Sequence, residues 1–236
     1  MADARFPTNY PYAGTEIALR LRPNPRARRL ALRIDAAGEA VELVLPKRSS
    51  RSEALRFLEA SRPWIDQRLA ELPPRIAFAD GAVIPIFDRP HKIRSLPSAR
   101  GRGAAWIELG ELWVAGDPDF LARRVRDFLR NLAKRELAQR AHALAETIGR
   151  KVARVTVRDT TTRWGSCART GNLSFSWRLI FAPEAVLQYV VAHEVAHLVE
   201  MNHGPRFWRL VARLHPEAET QRLWLNRHRA RLLRIG

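Results

Sequence analysis

The chain of 236 residues has a single cysteine, Cys167. No internal disulfide framework can form, and a reducing cytosol is the simplest home for such a chain. Long apolar runs are also missing. No stretch of about eighteen apolar residues occurs, which excludes a helical membrane span. The first residues, from Met1 to Pro23, lack the apolar segment of a secretory signal, so a cytoplasmic location is expected. Acidic residues are scarce: 24 Asp and Glu stand against 41 Lys and Arg, a formal net charge of +17. Such a charge attracts phosphates, nucleic acid or acidic surfaces. No single basic block dominates, and aromatic residues do not alternate with basic ones. The charge therefore admits a nucleotide or nucleic-acid partner without specifying one. Repeats of the solenoid kind are absent too. What remains is a globular composition, 46% apolar, long enough for one large domain or two small ones.

The residues that carry chemistry lie between Val190 and Trp208. His193-Glu194-x-x-His197 places two imidazoles one helical turn apart on one face, where both can reach one ion. Glu194 stands beside them, positioned to take a proton from a water activated by that ion. Val186, Leu187, Val190, Val191, Val195, Ala196, Leu198 and Val199 make this helix apolar over most of its circumference, so it is expected in a core. Burying two histidines and a glutamate there is costly unless they have partners, and a metal satisfies all three.

A hydrolytic zinc usually has three protein ligands and a water. His203 follows His197 by six residues. On a straight helix it would lie ~9 Å further along the axis, out of reach. It can join only if the helix ends near Glu200 to Asn202 and the chain curls back, and Asn202 and Gly204-Pro205 are stop signals in that region. The spacing matches the third histidine of metzincins, but Glu200 stands where their turn has glycine. Glu217 is the rival ligand, on a following helix; otherwise it is a first-turn carboxylate after Pro216.

Along the chain, Thr15 to Leu21 reads as a short strand, and Arg29–Asp35 with Val41–Pro46 as a hairpin. Ser50 or Ser52 caps a helix over Glu53 to Ser61, and a second runs from Pro63 to about Glu71. Strands are expected at Val83–Phe87, Lys92–Leu96, Ala104–Leu109 and Glu111–Val114. Arg94, Arg100 and Arg102 form a basic cluster in an exposed loop. A long helix runs from Pro118 to about Ile148, with Asp117 as its cap. The change from strand to helix places a domain boundary at Gly116, giving domains 1–116 and 117–236. Val155 and its neighbours form a strand, Thr160 to Cys167 a turn-like stretch, and Leu173 to Ile180 another strand. The metal helix follows from Pro183, then helices at Pro205–Leu214 and Pro216 to about Leu233. Phe207, Trp208, Leu210 and Val211 are expected beneath the metal site.

Taken together, Thr162-Arg163-Trp164-Gly165-Ser166-Cys167, Asn172 through Ile180, Tyr189 through Leu198, and Asn202-His203-x-x-x-Phe207-Trp208 resemble the YgjP-like zinc metallopeptidase family, which is similar to the SprT-like zincins. The resemblance implies an α+β chain: a β-rich N-terminal domain, then a mostly helical zincin-type metallopeptidase domain with a small sheet. It implies one Zn2+ held by His193, His197 and His203, with Glu194 as the catalytic base.

Activated water can attack a peptide carbonyl or a phosphorus. A peptidase acting on a peptide or protein substrate needs an edge strand beside the cleft, which Leu173 to Arg178 is expected to supply. A phosphohydrolase needs cations at the mouth, for which Arg163 and Arg178 are candidates; beside Trp164 and Trp177 they equally serve as stacking partners. Arg163, Trp164 and Arg178 are thus the candidate substrate-binding residues. Cys167 reads as a small buried residue, the alternatives being a fourth ligand or a nucleophile. A different class is a nucleic-acid-associated module whose metal is structural and closed by four protein ligands.

Overall fold

The computed structural model describes residues 6–35, 37–97 and 104–236. Arg100 and Arg102 of the expected basic cluster lie outside them, and Arg94 pairs with Glu111 at 2.8 Å. The chain is mixed α/β and divides into two compact units, Met1–Pro74 and Arg75–Gly236.

The first unit holds strands β1 (Asn9–Tyr12), β2 (Thr15–Pro23), β3 (Ala31–Ile34) and β4 (Ala40–Leu45), then helices α1 (Arg51–Ala60) and α2 (Arg62–Ala70). The strand order is β1-β2-β4-β3, with β2 and β4 parallel at the centre and an antiparallel partner on each side. Ser50 caps α1 and Glu53 returns to the Ser50 backbone, a reciprocal pair that satisfies two of the free donors at a helix start. Leu58, Ile65 and Leu69 share a small core with Tyr10, Leu19 and Val41.

The second unit begins with β5 (Val83–Ile86), β6 (Arg89–Leu96), β7 (Ala105–Glu108) and β8 (Glu111–Ala115). Their order, β5-β6-β8-β7, and their senses repeat those of β1 to β4. The turn before β6 also matches the turn before β2. Phe87 and Asp88 have φ of 51° and 61°, Ala13 and Gly14 of 46° and 76°, the backbone of a tight two-residue hairpin. A 3₁₀ turn over Pro118–Phe120 leads into α3 (Leu121–Glu146). Next come β9 (Arg154–Arg158), β10 (Gly165–Cys167) and β11 (Asn172–Ser176), a second 3₁₀ turn at Trp177–Phe181, and helices α4 (Glu184–Ala196), α5 (Pro205–Leu214) and α6 (Ala218–Leu233). Among the described residues no helix is long and apolar enough to cross a membrane.

The division therefore falls after Pro74 rather than at Gly116. Ile84, Ile86, Ile93, Leu112 and Val114 belong to one core with Val125 and Leu129 of α3 and Val186 and Val190 of α4. Strands β5 to β8 consequently belong with the helices that follow them. The two ends of this unit also meet. Ile76 N–H donates to Arg234 C=O at 2.9 Å, and Gly236 N–H to Ile76 C=O at 2.8 Å.

A second correction concerns the small sheet. Its order is β10-β11-β9, so Leu173 to Ser176 is the middle strand, and Trp177 to Ile180 belongs to a 3₁₀ turn. The edge beside α4 is β10, three residues within what reads from sequence as a turn.

Candidate metal centre

Helix α4 stops at Ala196, earlier than the stop signals alone placed it. A tight turn follows, in which Val199 and Glu200 N–H both donate to Ala196 C=O. Pro205 then starts α5 after the extended Gly204. This reversal undoes the axial separation of His203 from the helix. One ligand atom from each of His193, His197 and His203 lies within 4.8 Å of the others, and Nε2 of His193 is 3.1 Å from Nε2 of His203.

The imidazoles are seated by aromatic contacts. Phe207, fully buried, stacks on His197 with centroids 4.5 Å apart. It meets His193 and His203 edge-on at 4.9 and 4.7 Å. Trp208, half exposed, covers His203 and His193 at 5.8 Å each. His197 Nδ1 lies 3.0 Å from Glu200 C=O; donating a proton there leaves Nε2 as the free lone pair. His193 is pushed down to about 4, first by burial and then by the neighbouring His197 and His203. His197 is lowered by burial as well. Both are neutral near pH 7, the form that can ligate.

Glu194 is buried, and burial pushes its carboxyl up to about 8, against the opposing pull of Arg163. It packs directly on β10. A Cβ added at Gly165 would lie 2.6 Å from Glu194 Cγ and 2.7 Å from Cδ, so only glycine lets the strand pass this close. Trp164 C=O accepts from Ser176 N–H, and Ala168 N–H donates to Asn172 C=O. The alternation of an antiparallel pair then turns the N–H and C=O of Gly165 and Cys167 toward the free edge.

A cleft of about 220 Å3 opens over Glu194 and His193. Arg163 and Trp164 line it, together with Tyr189, Arg222 and Asn226. Arg178 does not. Its guanidinium donates to Asp159 Oδ1 at 2.7 Å and to the carbonyls of Ile235 and Leu233 at 2.6 and 3.3 Å, and it stacks over Trp177 at 4.9 Å. That buried arginine ties the C-terminal segment down; it is not free to meet a substrate. Glu217 accepts from Gln221 at 3.2 Å and is outside the imidazole group. Cys167 is half-buried, its thiol pushed up to about 11 by burial and then by Glu194, so it is no nucleophile at neutral pH. Among the described residues no cysteine, aspartate or glutamate joins the three imidazoles as a fourth ligand.

Tyr189 and Arg222 were not singled out from sequence as cleft residues. Tyr189 precedes His193 by four positions on α4 and could have been found from helical period alone. Arg222 comes from α6, and only the packing of α6 on α4 brings it to the cleft.

Three imidazoles that converge beside one buried carboxyl are an arrangement suited to an ion and its hydrolytic chemistry. The model of the YgjP-like metallopeptidase domain matches residues 28–228. The chain therefore belongs to the YgjP-like family, and its domain is of the metallopeptidase type. No curated protein and no solved structure gives a significant match.

Proposed function

We propose that the protein is a zinc peptidase of zincin type, in which His193, His197 and His203 hold the ion and Glu194 is the general base. The observation that carries this reading is the convergence of three imidazole ligand atoms within 4.8 Å, next to a buried carboxyl. An all-nitrogen set of three suits zinc, and three protein ligands leave a position for water. When bound, the ion would supply Lewis-acid activation of water and of the scissile carbonyl.

The chain's own residues supply the rest. Glu194 accepts the proton from the attacking water at a carboxylate oxygen and later delivers it to the departing amine nitrogen. The positive charge of Arg163, and of the ion itself, favours the carboxylate form that this role needs. The free edge of β10 offers the N–H and C=O of Gly165 and Cys167 to an extended substrate backbone, as strand addition requires.

The test is metal content together with turnover. The unaltered protein should contain one zinc per chain and hydrolyse a peptide. Glu194→Gln should keep the zinc and lose roughly 10²–10⁴-fold in kcat, the usual worth of a general base. Turnover retained by Glu194→Gln would remove Glu194 from this role. His203→Ala should lower zinc affinity steeply in a competition titration against a chelator, whereas Glu217→Ala should leave it unchanged. The reverse order would transfer the ligand role to Glu217.

A further inference from the structure

A second cleft adjoins the centre. It measures about 460 Å3, and His197 lines it together with Arg150, Lys151 and Arg169. It shares Gly149, Arg150 and Val199 with a third cleft of about 570 Å3 along α5, lined by Arg206, Arg209 and Arg213. The shared walls make one groove, continuous from a metal-ligating residue to the far end of α5. Six cations line it, and Glu200 is the one acidic residue among its walls.

All six cations are exposed, and among the described residues none of their side chains has an ion pair or hydrogen bond. Elsewhere Arg22, Arg62, Arg68, Arg94, Arg140 and Arg222 have carboxylate partners, while others such as Arg154 and Arg158 have none among the described residues; what sets the groove apart is six cations gathered on walls that hold one carboxylate. Arg206, Arg209 and Arg213 recur at three- and four-residue spacing, so they form one stripe on α5, while Phe207, Leu210 and Val211 are buried. Holding six like charges around one groove raises its potential, and an anionic ligand relieves it.

The lining also indicates which anion. Ile148, Leu198, Val199, Met201 and Leu210 are the larger apolar residues of the groove, and no Phe, Tyr or Trp lines either cleft. Single-stranded nucleic acid is usually held by aromatic platforms on which bases stack, and this groove has none. Aliphatic side chains interleaved with arginines suit a peptide in which acidic and aliphatic residues mix. Strand β10 connects the two sides of the centre. Arg163, Trp164 and Gly165, at its start, line the cleft over Glu194, while Ala168 to Gly171, after its end, line the cleft beside His197. An extended chain laid on the β10 edge runs from the first cleft into the cationic groove.

We propose that this groove binds an acidic, aliphatic-containing stretch of polypeptide on one side of the bond to be cleaved. The cleavage part rests on the peptidase reading above; the binding part does not. The experiment separates them. Full-length Glu194→Gln protein, zinc-loaded, is titrated by fluorescence anisotropy into a labelled peptide rich in Glu and Leu, and into its counterpart with Gln in place of Glu. The Glu peptide should bind roughly tenfold tighter, since several exposed charge pairs each contribute a modest factor. The preference should shrink as salt is raised. Combining Arg206→Gln, Arg209→Gln and Arg213→Gln should abolish most of it while zinc content and Tm stay unchanged, which shows that the variant is folded. In the active protein the same triple variant should lower kcat/KM for the Glu peptide and leave the Gln peptide unaffected. A preference that survives the triple variant overturns the proposal. So does a single-stranded oligonucleotide of matched charge that competes more tightly than the Glu peptide, which reassigns the groove to nucleic acid. An active protein that cleaves neither peptide, with the binding preference intact, removes the peptidase reading and leaves the groove as an acidic-peptide site.

Discussion

Glu194 and His193 are neighbours in sequence, and burial moves their protonation in opposite senses. Glu194 is raised to about 8 by desolvation, and His193 lowered to about 4 by desolvation and by His197 and His203. In the metal-free protein each has its own stability window. From about pH 4 to 6.5 the unfolded chain takes up a proton at His193 that the folded chain refuses, so this residue makes stability rise with pH. From about pH 4.5 to 8 the folded chain keeps a proton on Glu194 that the unfolded chain has released, so that residue makes stability fall with pH. The two oppose one another up to about pH 6.5, and above it only Glu194 remains. The metal-free protein should therefore lose stability between about pH 6.5 and 8, and Glu194→Gln should flatten the loss. Denaturant midpoints taken across this range check it. A wild-type curve as flat as that of Glu194→Gln would mean the carboxyl is ionised throughout. Adding metal should flatten the wild-type curve too, because a nearby cation stabilises the carboxylate.

The elements that place these residues differ in how plainly they can be read. Helix α4 announces itself by continuous apolar flanks, and His193, Glu194 and His197 come with it. The helices α3 and α5 are legible for the same reason: Leu121, Val125, Leu129 and Leu132 keep the helical period, and Pro205 marks a start. Strand β10 is not legible. Three residues, Gly165, Ser166 and Cys167, follow a threonine-rich turn and carry no alternation. Their strand state is imposed by pairing with β11 and by the helix packed behind. Sheet order is likewise a tertiary property, which is why Leu173 to Ser176 reads as an edge and lies in the middle. The likeness of β1–β4 to β5–β8 is hidden because it resides in pairing: Ala18 opposite Ala40 and Lys92 opposite Glu111 hold equivalent places in the two central parallel pairs, yet share little side-chain chemistry. The close approach of β10 to α4 yields a prediction at this scale. Gly165→Ala puts a methyl into the Glu194 side chain. It should cost about 1–3 kcal/mol, as overpacking does, or shift the carboxyl and lower kcat with metal content unchanged. Full stability together with full activity would mean that the strand and helix are free to part.

The whole molecule is built on two cores that share no residue. One comprises Tyr10, Leu19, Val41, Leu58, Ile65 and Leu69; the other runs from Phe78 to Ile235 and includes Tyr189 and Phe207, which pack on the imidazoles. The Gly116 boundary expected from sequence followed a change of element type, but a fold is divided by where apolar side chains meet. Ile84, Ile93 and Leu112 need the apolar faces of α3 and α4, so β5 to β8 cannot be separated from the helices. The division at Pro74 has a thermodynamic consequence. The proposed ligands all lie in Arg75–Gly236, so an ion bound there would stabilise the folded form of that unit by mass action. Calorimetry of the full chain should resolve two transitions. At a free zinc concentration about a hundredfold above Kd, one transition should rise by the equivalent of ~2.7 kcal/mol while the other stays in place. Substituting His203 by alanine should cancel most of that rise, and removing a small-core side chain, as in Leu58→Ala, should lower only the transition that zinc does not move. A single transition that shifts as a whole with both zinc and Leu58→Ala would show that the two cores fold as one cooperative body, and that Met1–Pro74 contributes to the stability of the metal centre.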